Sequence, residues 1–433
     1  MTKMKSSGID WIGEIPEEWQ TGKIKFFSKI SAGSTPDRTN ELFWNGNINW
    51  MSSGEVNQGK VTYTTEKITE LGLRSSSTKV LPVGTVMLAL NGQGKTKGTA
   101  AILEIETASN QSLASFVIDR ERLNESFVYY YFKANYFNIR GMKGEDRDGL
   151  NLQLVSNINV PIPPLSEQTK IADYLDKQVA QLDKVKVLLE EQIATLQEYR
   201  QSLIYETVTE GLDKTVPMKD SGVDWIGQIP KGWGLKSIKY LVSTPVTDGP
   251  HETPILCDKG IPFLSAEAVK NGILNLDFKR GYISEENHRI FSRKVSPRRN
   301  DIFIVKSGAT TGNVGIVETD EIFDIWSPLA LVRSREDIAV QKFVYYFMLS
   351  EAFSRQVQSK WSFGTQQNIG MKVIEGIKVV IPDLDKQYRI VNFLDKKIAQ
   401  ISQMIAIKQD QIDNIIQQRQ TLIYDLVTGK RRV

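Results

Sequence analysis

The sequence predicts an α+β protein in which two mixed α/β domains are separated by two long antiparallel helices that form a coiled coil. Three observations predict this fold. A long helical pattern without Gly or Pro covers residues 166–209, and a second pattern of the same kind covers residues 385–428. A short motif containing Asp-Trp-Ile-Gly also stands near the start of each half of the chain. Because the halves repeat, we expect the two domains to be related by a pseudo-twofold axis.

The repeat also predicts where the segments begin and end. The first domain covers residues 1–165, the first long helix 166–212, the second domain 213–384 and the second long helix 385–433. Each domain contains short runs of β-branched and aromatic residues between Gly and Asn turns, together with one short helical pattern. These features predict strands and turns rather than a helical bundle.

Apolar residues in the long helices recur in alternating steps of three and four, which is the 3.5-residue period of a left-handed coiled coil. The predicted seam consists of Leu182, Leu189, Ile193, Leu196 and Leu203 in the first helix and of Ile401, Ile405, Ile412, Ile415 and Leu422 in the second. Such a helix, ~65 Å long at 1.5 Å per residue, is marginal without a partner. Leu175, Val185, Leu188 and Tyr199 widen the apolar stripe and predict that a neighbouring surface is covered as well.

The motif of residues 7–19 returns as residues 221–233, with Trp19 matched by Trp233. The second copy belongs to the segment that connects the first long helix to the second domain. By symmetry, the first copy should lie beside Val427 and Thr428 at the end of the second helix.

The composition limits the possible partners and compartments. With 54 basic and 51 acidic residues the net charge is only +3, so a nucleic-acid surface has to be a local patch. The single cysteine, Cys257, permits no internal disulfide and suits a reducing compartment. Because no apolar run is long enough to cross a bilayer, we expect a soluble cytoplasmic protein without membrane contact.

The two halves match closely in the helices and the flanking motif but differ in the polar loops of the domains. This pattern predicts one scaffold that presents two different readers. The first loop, Asn91-Gly92-Gln93-Gly94-Lys95-Thr96, ends like a phosphate-binding P-loop. However, Ala89 stands where the P-loop requires its first glycine, and the second copy, residues 307–312, has no lysine. We therefore interpret both loops as glycine-rich segments that approach a phosphate or groove edge closely, with a purely structural turn as the alternative.

Two further loops, residues 144–151 and 361–369, occupy equivalent places ahead of the long helices and carry unlike side chains. Gln and Asn pair bidentately with adenine, and Arg pairs with guanine, in the major groove. A basic run at 279–299 precedes the second glycine-rich loop, and we expect it to contact phosphates. Solvated loops and a solvated basic face are the alternatives.

These patterns define the candidate DNA-binding residues. They are Asn91, Gln93, Lys95, Thr96, Lys97, Arg147, Arg293, Arg298, Arg299, Lys306, Ser307, Thr310, Thr311, Asn313, Gln366, Gln367 and Asn368.

No catalytic or metal-binding constellation is predicted. His251 and His288 are the only histidines and Cys257 is the only thiol, which excludes the usual zinc spacings and argues against a His-based nucleophilic triad. No G-x-G-x-x-G sequence follows a strand. We therefore predict a chain without a cofactor, a metal or catalytic residues.

Taken together, these features resemble the specificity subunit of type I restriction-modification enzymes. The resemblance rests on the repeated SG-[IV]-DWIG-x-IP motif with its tryptophan, the proline lead-ins, Gln168 and Gln387 at the helix starts and R-Q-[ST]-LIY at the helix ends. It implies two target recognition domains, each reading one half of a split site in double-stranded DNA, with the helices fixing the spacer. Residues 144–147 depart from the more family-like residues 364–367.

The resemblance also implies partners that carry the chemistry. Two methyltransferase subunits would dock on the conserved regions, and restriction/translocase subunits would complete the complex, with S-adenosylmethionine, ATP and Mg²⁺ bound by those partners. An intrinsic methyltransferase should show an N-P-P-[YF] sequence, and residues 161–164 lack its amide and aromatic. A coiled-coil interaction scaffold without DNA reading remains the alternative, although it would not need unlike polar loops at matching positions.

Overall fold

The computed structural model describes residues 3–92, 94–142, 149–360 and 367–433. The chain divides into two compact units: unit 1 comprises Met1–Leu189 and Asp410–Val433, and unit 2 comprises Glu190–Gln409. Each unit therefore contains one end of each long helix. The boundaries predicted from the sequence had instead treated each long helix as a separate segment. The predicted fold class, two mixed α/β domains with two long antiparallel helices, is confirmed.

Unit 1 consists mainly of short strands. Its strands are β1 (Met4–Ser6), β2 (Glu14–Pro16), β3 (Gln20–Lys23), β4 (Ser28–Ala32), β5 (Trp44–Met51), β6 (Lys60–Val61), β7 (Glu66–Ile68), β8 (Val86–Ala89), β9 (Ala100–Leu103), β10 (Ala108–Ser109), β11 (Leu113–Ile118) and β12 (Asn159–Ile162). Its helices are α1 (Glu70–Arg74), α2 (Glu125–Ala134), α3 (Tyr136–Gly141), α4 (Leu152–Ser156) and the first part of α5 (Leu165–Glu210).

The main sheet of unit 1 has the order β4-β11-β8-β9-β6. It is antiparallel except for the parallel pair β6 and β9. Helix α2 covers one face, and every side chain from Phe127 to Phe132 is buried. Phe132 meets Phe116 of β11 edge to face with ring centroids 5.2 Å apart. The same core includes Leu175 and Val179 of α5, so α2 is buried on both sides because it lies between the sheet and the long helices.

Unit 2 repeats this plan. Its strands are β13 (Met218–Asp220), β14 (Gln228–Pro230), β15 (Gly234–Ser237), β16 (Thr247–Asp248), β17 (Ile261–Leu264), β18 (Val269–Lys270), β19 (Ile273–Leu274), β20 (Gly281–Ile283), β21 (Ile302–Val305), β22 (Val314–Ile316), β23 (Asp324–Ile325), β24 (Leu329–Val332) and β25 (Lys378–Ile381). Its helices are α6 (Glu285–Phe291), α7 (Gln341–Leu349), α8 (Glu351–Gln358), α9 (Met371–Gly376) and the first part of α10 (Leu384–Val427). The main sheet has the order β16-β24-β21-β22-β19-β18.

The glutamine at the start of each long helix has a structural role. Gln168 is fully buried, and its side chain accepts a hydrogen bond from the Asn124 N–H (2.8 Å) and donates to the Pro163 carbonyl (2.8 Å). Gln387 makes the same pair of bonds with Val340 and Pro382. An amide side chain can donate and accept at once, so each glutamine ties the first turn of a long helix to the helix packed on the sheet.

The two long helices run antiparallel within each unit. In unit 1, Arg419 of α10 pairs with Asp183 of α5, and Arg432, farther along the chain, contacts Glu167. In unit 2, Lys408 Nζ lies 2.6 Å from Gln192 Oε1. All ten seam residues are buried or half-buried, with Ile401 and Ile412 only 4% exposed. Of the residues that widen the stripe, Leu175 is buried, whereas Val185, Leu188 and Tyr199 are exposed.

The repeated motif packs on the end of a long helix, as predicted from the symmetry of the sequence. In unit 1, Trp19 is fully buried in one core with Leu426 and Val427. Tyr424 donates its hydroxyl to the Trp11 carbonyl at 3.0 Å. In unit 2, the Tyr205 hydroxyl donates to the Ile226 carbonyl at 3.2 Å in the same way. The motif is thus an anchoring segment for the helix ends.

Candidate nucleic-acid interface

In unit 1, the loop after β8 lies beside the segment that leads into α4. The Leu150 N–H donates to the Leu90 carbonyl at 2.8 Å. A Cβ placed on Gly149 would lie 1.7 Å from Asn91 Oδ1, so the Asn91 side chain packs directly against the Gly149 backbone. Two loops that the sequence suggested separately therefore meet at the end of β8.

The glycine-rich loop of unit 1 is held by α3. The Tyr136 hydroxyl donates to the Lys95 carbonyl at 3.0 Å, and Arg140 Nη1 donates to the Gly94 carbonyl at 2.7 Å. Asn91 and Lys95 are exposed and Thr96 is half-buried. Lys97, by contrast, is only 1% exposed. Because its side chain lies inside the protein, we remove Lys97 from the set of residues that present a group to DNA.

In unit 2, the loop after β21 meets the segment before α9 in the same way. The Ile369 N–H donates to the Lys306 carbonyl at 2.7 Å, and Ser307 and Asn368 form an isolated antiparallel bridge. The Gly308 N–H donates to the Gln367 carbonyl at 3.3 Å. The second pair of predicted loops is thus also brought together at the end of a central strand.

Exposure separates the candidates in this second loop pair. Thr310, Asn313, Gln367 and Asn368 are exposed and Ser307 is half-buried. Thr311 is 7% exposed, and its hydroxyl donates to the Gly308 carbonyl at 2.7 Å. Since that hydroxyl holds the loop together, Thr311 supports the interface and does not present a group to a ligand. The candidates Gln93, Arg147 and Gln366 lie outside the described residues.

The structure divides the basic run of residues 279–299. Arg298 and Arg299 precede β21, while Lys306 and the polar loop follow it, so they lie at opposite ends of the strand. Arg299 is engaged by Asp320, with Nε 2.9 Å from Oδ1 and Nη2 2.7 Å from Oδ2. The hydrogen bond that Arg299 donates to Asp320 raises the pKa of the Arg299 guanidinium. Arg293 and Arg298 are exposed. Arg298 precedes β21 and therefore does not adjoin the end where the loops meet.

Asp248, Lys294 and His251, which were not among the candidates, lie together with the candidate Lys306 at the end of β21 where the loops meet. Lys306 Nζ is 2.7 Å from Oδ2 of Asp248, Lys294 Nζ is 2.7 Å from Oδ1, and His251 Nε2 is 3.2 Å from Oδ2. Burial raises the pKa of Asp248, but the hydrogen bonds from Lys294 and Lys306 outweigh it and lower the pKa below its ordinary value. The chain brings these residues together from three separate segments. Lys306 was a predicted candidate and Lys294 lies in the basic run of residues 279–299, but no pattern linked either of them to Asp248 or His251.

Among the described residues, no group of three or more His, Cys, Asp or Glu side chains is arranged to hold a metal ion. Asp324 and His288 form a close pair, with Oδ2 and Nδ1 2.6 Å apart. Burial raises the pKa of Asp324 even though His288 opposes this shift. Within the described ranges, no helix is both long and apolar enough to pass through a bilayer.

A comparison with known families identifies the architecture. The model of the type I restriction modification DNA specificity domain matches residues 16–195 and again residues 250–415. The chain belongs to this family. The two matches cover most of both units, in agreement with the internal repeat. The resemblance inferred from the repeated motif, Gln168 and Gln387 is thereby confirmed.

Individual relatives match either nearly the whole chain or about two thirds of it. The specificity subunit of the type I restriction enzyme MjaIX from Methanocaldococcus jannaschii is 23% identical, over 98% of this chain and 95% of that protein. The EcoBI specificity subunit from Escherichia coli is 25% identical, over 67% of this chain and 62% of its own length.

Solved structures share the fold. A chain from a type I R-M system, studied for its complex assembly and conformational transition, has a TM-score of 0.71 at 17% identity and covers 96% of this chain and 99% of its own length. The HsdS subunit from Thermoanaerobacter tengcongensis has a TM-score of 0.53 at 16% identity, with 96% and 98% covered.

Proposed function

We propose that this specificity-domain protein reads a bipartite site in double-stranded DNA, one half with each unit, across a nonspecific spacer. One observation carries the proposal. In both units two polar loops meet at the end of the corresponding central strand, β8 or β21, and the side chains they expose differ. A shared frame with unlike exposed groups suits two readers of different sequences.

The exposed groups have suitable chemistry for this task. Asn91 in unit 1 and Gln367 and Asn368 in unit 2 are exposed amides, which pair with the N6 and N7 positions of adenine in the major groove. Lys95 is an exposed cation that suits a backbone phosphate, which positions the duplex without reading it. Amides thus select sequence, and cations add affinity for any duplex.

The chain's role in the complex is recognition and docking. Methyltransferase subunits and restriction/translocase subunits would methylate and cleave, with S-adenosylmethionine, ATP and Mg²⁺ bound by those partners. Exposed apolar side chains on the long helices support a docking role, namely Val185 and Leu188 on α5 and Met404 and Ile407 on α10. Apolar residues that stay exposed on a helix surface suit a protein partner.

The test is the methylation pattern in cells that express the chain with its methyltransferase. We expect one split motif. Replacing residues 20–160 with those of a relative should change one half of the motif and leave the other half and the spacer unaltered. The reciprocal control exchanges residues 234–377 and should change the opposite half. If both halves changed in either exchange, independent reading would be wrong, and absence of any methylated motif would favour an interaction scaffold.

A further inference from the structure

A group of charged side chains is gathered around Asp248 at the end of β16. The Asp248 side chain is only 8% exposed, whereas the side chains of Lys294 and His251 are 46% and 71% exposed. Lys306, at 13%, lies between these extremes. The acid and Lys306 are therefore mostly enclosed, and the Lys294 ammonium and the His251 imidazole are the groups that reach the surface.

The backbone fixes where His251 stands. A Cβ on Gly249 would lie 2.1 Å from the Ile325 carbonyl oxygen, so the chain after Asp248 passes too close to β23 for any side chain. The Ser327 N–H then donates to the Pro250 carbonyl at 3.1 Å. These two contacts hold the backbone at Gly249 and Pro250, and they place the His251 imidazole beside Asp248 without a ligand.

Unit 1 shows that the fold does not need these charges. In unit 2 Asp248 pairs in register with Ala330 of β24. In unit 1 the equivalent of Ala330 is Ala114 of β11, and its partner is Ala32, so Ala32 corresponds to Asp248. In unit 2 the Lys306 N–H donates to the Pro328 carbonyl. In unit 1 the Leu90 N–H makes the matching hydrogen bond to the Ser112 carbonyl, so Leu90 corresponds to Lys306. Alanine and leucine thus fill the same places in unit 1.

A buried carboxylate costs free energy unless it is paired and hydrogen-bonded. Because alanine occupies the equivalent position in unit 1, folding does not require the Asp248 carboxylate, and we look for a functional role. Lys294 has three ammonium hydrogens and, within the described chain, donates to Asp248 and to the Gly249 carbonyl. That arrangement aims the side chain and leaves a third hydrogen for a ligand.

We propose that Lys294 and His251 bind one backbone phosphate of the DNA that flanks the half-site read by unit 2, and that Asp248 and Lys306 are positioning residues. The proposal rests on the DNA-reading function given above. Lys306 directly precedes Ser307, so the group stands at the base of the loop that exposes Thr310 and Asn313. A charge-assisted bond to phosphate adds affinity that does not depend on sequence.

The first test measures DNA affinity of the complex with its methyltransferase as a function of salt, on the mapped site and on a duplex with scrambled half-sites. Lys294→Gln and His251→Gln should each weaken both duplexes by the same factor, roughly tenfold for one charge-assisted hydrogen bond. Lys294→Gln should also lower the salt slope by about one unit, since one phosphate loses its cation. The methylated motif in cells should stay the same.

Lys231→Gln is the matched control, because Lys231 is an exposed lysine of unit 2 outside the group. It should leave the affinity and the salt slope as in the wild type. If Lys294→Gln behaved like this control, or if it weakened only the mapped site or altered the motif, the phosphate assignment would be overturned.

The second test separates positioning from net charge. The double variant Asp248→Ala with Lys306→Leu copies unit 1 and leaves the net charge unchanged. It should keep the melting temperature of the wild type yet bind both duplexes as weakly as Lys294→Gln. Wild-type affinity in this variant would show that Asp248 and Lys306 do not position Lys294. If the wild-type complex bound the mapped site and the scrambled duplex equally well, both the DNA-reading function and this proposal would be overturned. If the wild-type complex preferred the mapped site but the variants kept wild-type affinity, only this proposal would be overturned.

Discussion

At the scale of single residues, neighbours of one chemical type take different roles. Lys95 is exposed while Lys97 is buried, and Thr310 is exposed while Thr311 donates to the Gly308 carbonyl inside the loop. Both pairs lie in turns, where the local backbone conformation and hydrogen bonding set the direction of each side chain, so residue type alone does not say which lysine or threonine reaches a ligand. Exposure and hydrogen bonding reduce the candidate set to those side chains that point outward.

Gln367 offers a test of base reading at this scale. Its backbone carbonyl holds the loop by accepting from the Gly308 N–H and the Thr311 hydroxyl, while its side chain is exposed. Gln367→Ala should therefore leave the melting temperature unchanged and relax discrimination at one base pair by ~1–3 kcal/mol. Competition binding against every single base-pair substitution of the mapped site measures this.

Asn91→Ala is the matched variant in unit 1, and its effect should fall on the other half-site. The base-reading role of Gln367 would be contradicted if Gln367→Ala weakened all duplexes equally, or if both variants affected the same half-site.

At the scale of elements, the long helices are held by an apolar seam and by a few polar contacts. Ile412 is 4% exposed and Ile416, one turn later on α10, is 41% exposed. The pairs Arg419–Asp183 and Lys408–Gln192 are partly or largely exposed, and exposed pairs of this kind contribute little to stability. The seam should therefore carry most of the stability of this element.

Ile412→Ala should lower the free energy of unfolding of unit 1 by ~2–4 kcal/mol, through lost burial and a residual cavity. Ile416→Ala removes the same atoms from a more exposed site and should cost ~0.5 kcal/mol or less. Denaturant unfolding followed by circular dichroism compares the two midpoints. Equal shifts for both variants would show that the packing of α10 does not follow the seam.

At the scale of the whole molecule, unit 1 is built from both ends of the sequence. Strands β1 and β2 pair with each other, and the motif of residues 7–19, which includes β2, packs on the end of α10. Lys430 Nζ donates to the Glu14 carbonyl at 2.7 Å, and Arg432 pairs with Glu18. Unit 1 is therefore completed only when the last residues of the chain meet the first.

A circular permutant tests this closure. Joining Val433 to Met1 through a short Gly/Ser linker and opening the chain after Gly211 should preserve folding, because the joined segments already contact each other within unit 1. Melting temperature and DNA binding of the complex should match the wild type, with a permutant opened inside β21 as the destabilised control. If opening after Gly211 were as damaging as opening inside β21, the two chain ends would not be joined as described.

Much of this organisation was predictable from the sequence. The repeat, the 3.5-residue period and the positions of Gln168 and Gln387 predicted two domains, two paired helices and the family. The circular closure followed from comparing the two copies of the motif. These predictions succeeded because periodicity and duplication can be read directly from the order of residues along the chain.

The group around Asp248 could not be predicted in this way. Asp248, Lys294 and Lys306 lie on β16, after α6 and after β21, and no spacing rule links such segments. The sequence predicted phosphate contacts for the basic run that contains Arg298 and Arg299. These two residues precede β21, whereas the polar loop follows it, and a strand that rises ~3.3 Å per residue separates the two ends.

The sequence by itself therefore determined the repeated scaffold, the coiled-coil seam and the presence of unlike polar loops in the two halves. Only the tertiary structure decided which side chains at those loops face outward, which cations are already paired, and which distant residues join Lys306. The physical reason is that sheet order and side-chain burial depend on contacts between residues far apart in the chain. Such contacts are fixed when the sheet assembles and leave no periodic trace in the sequence.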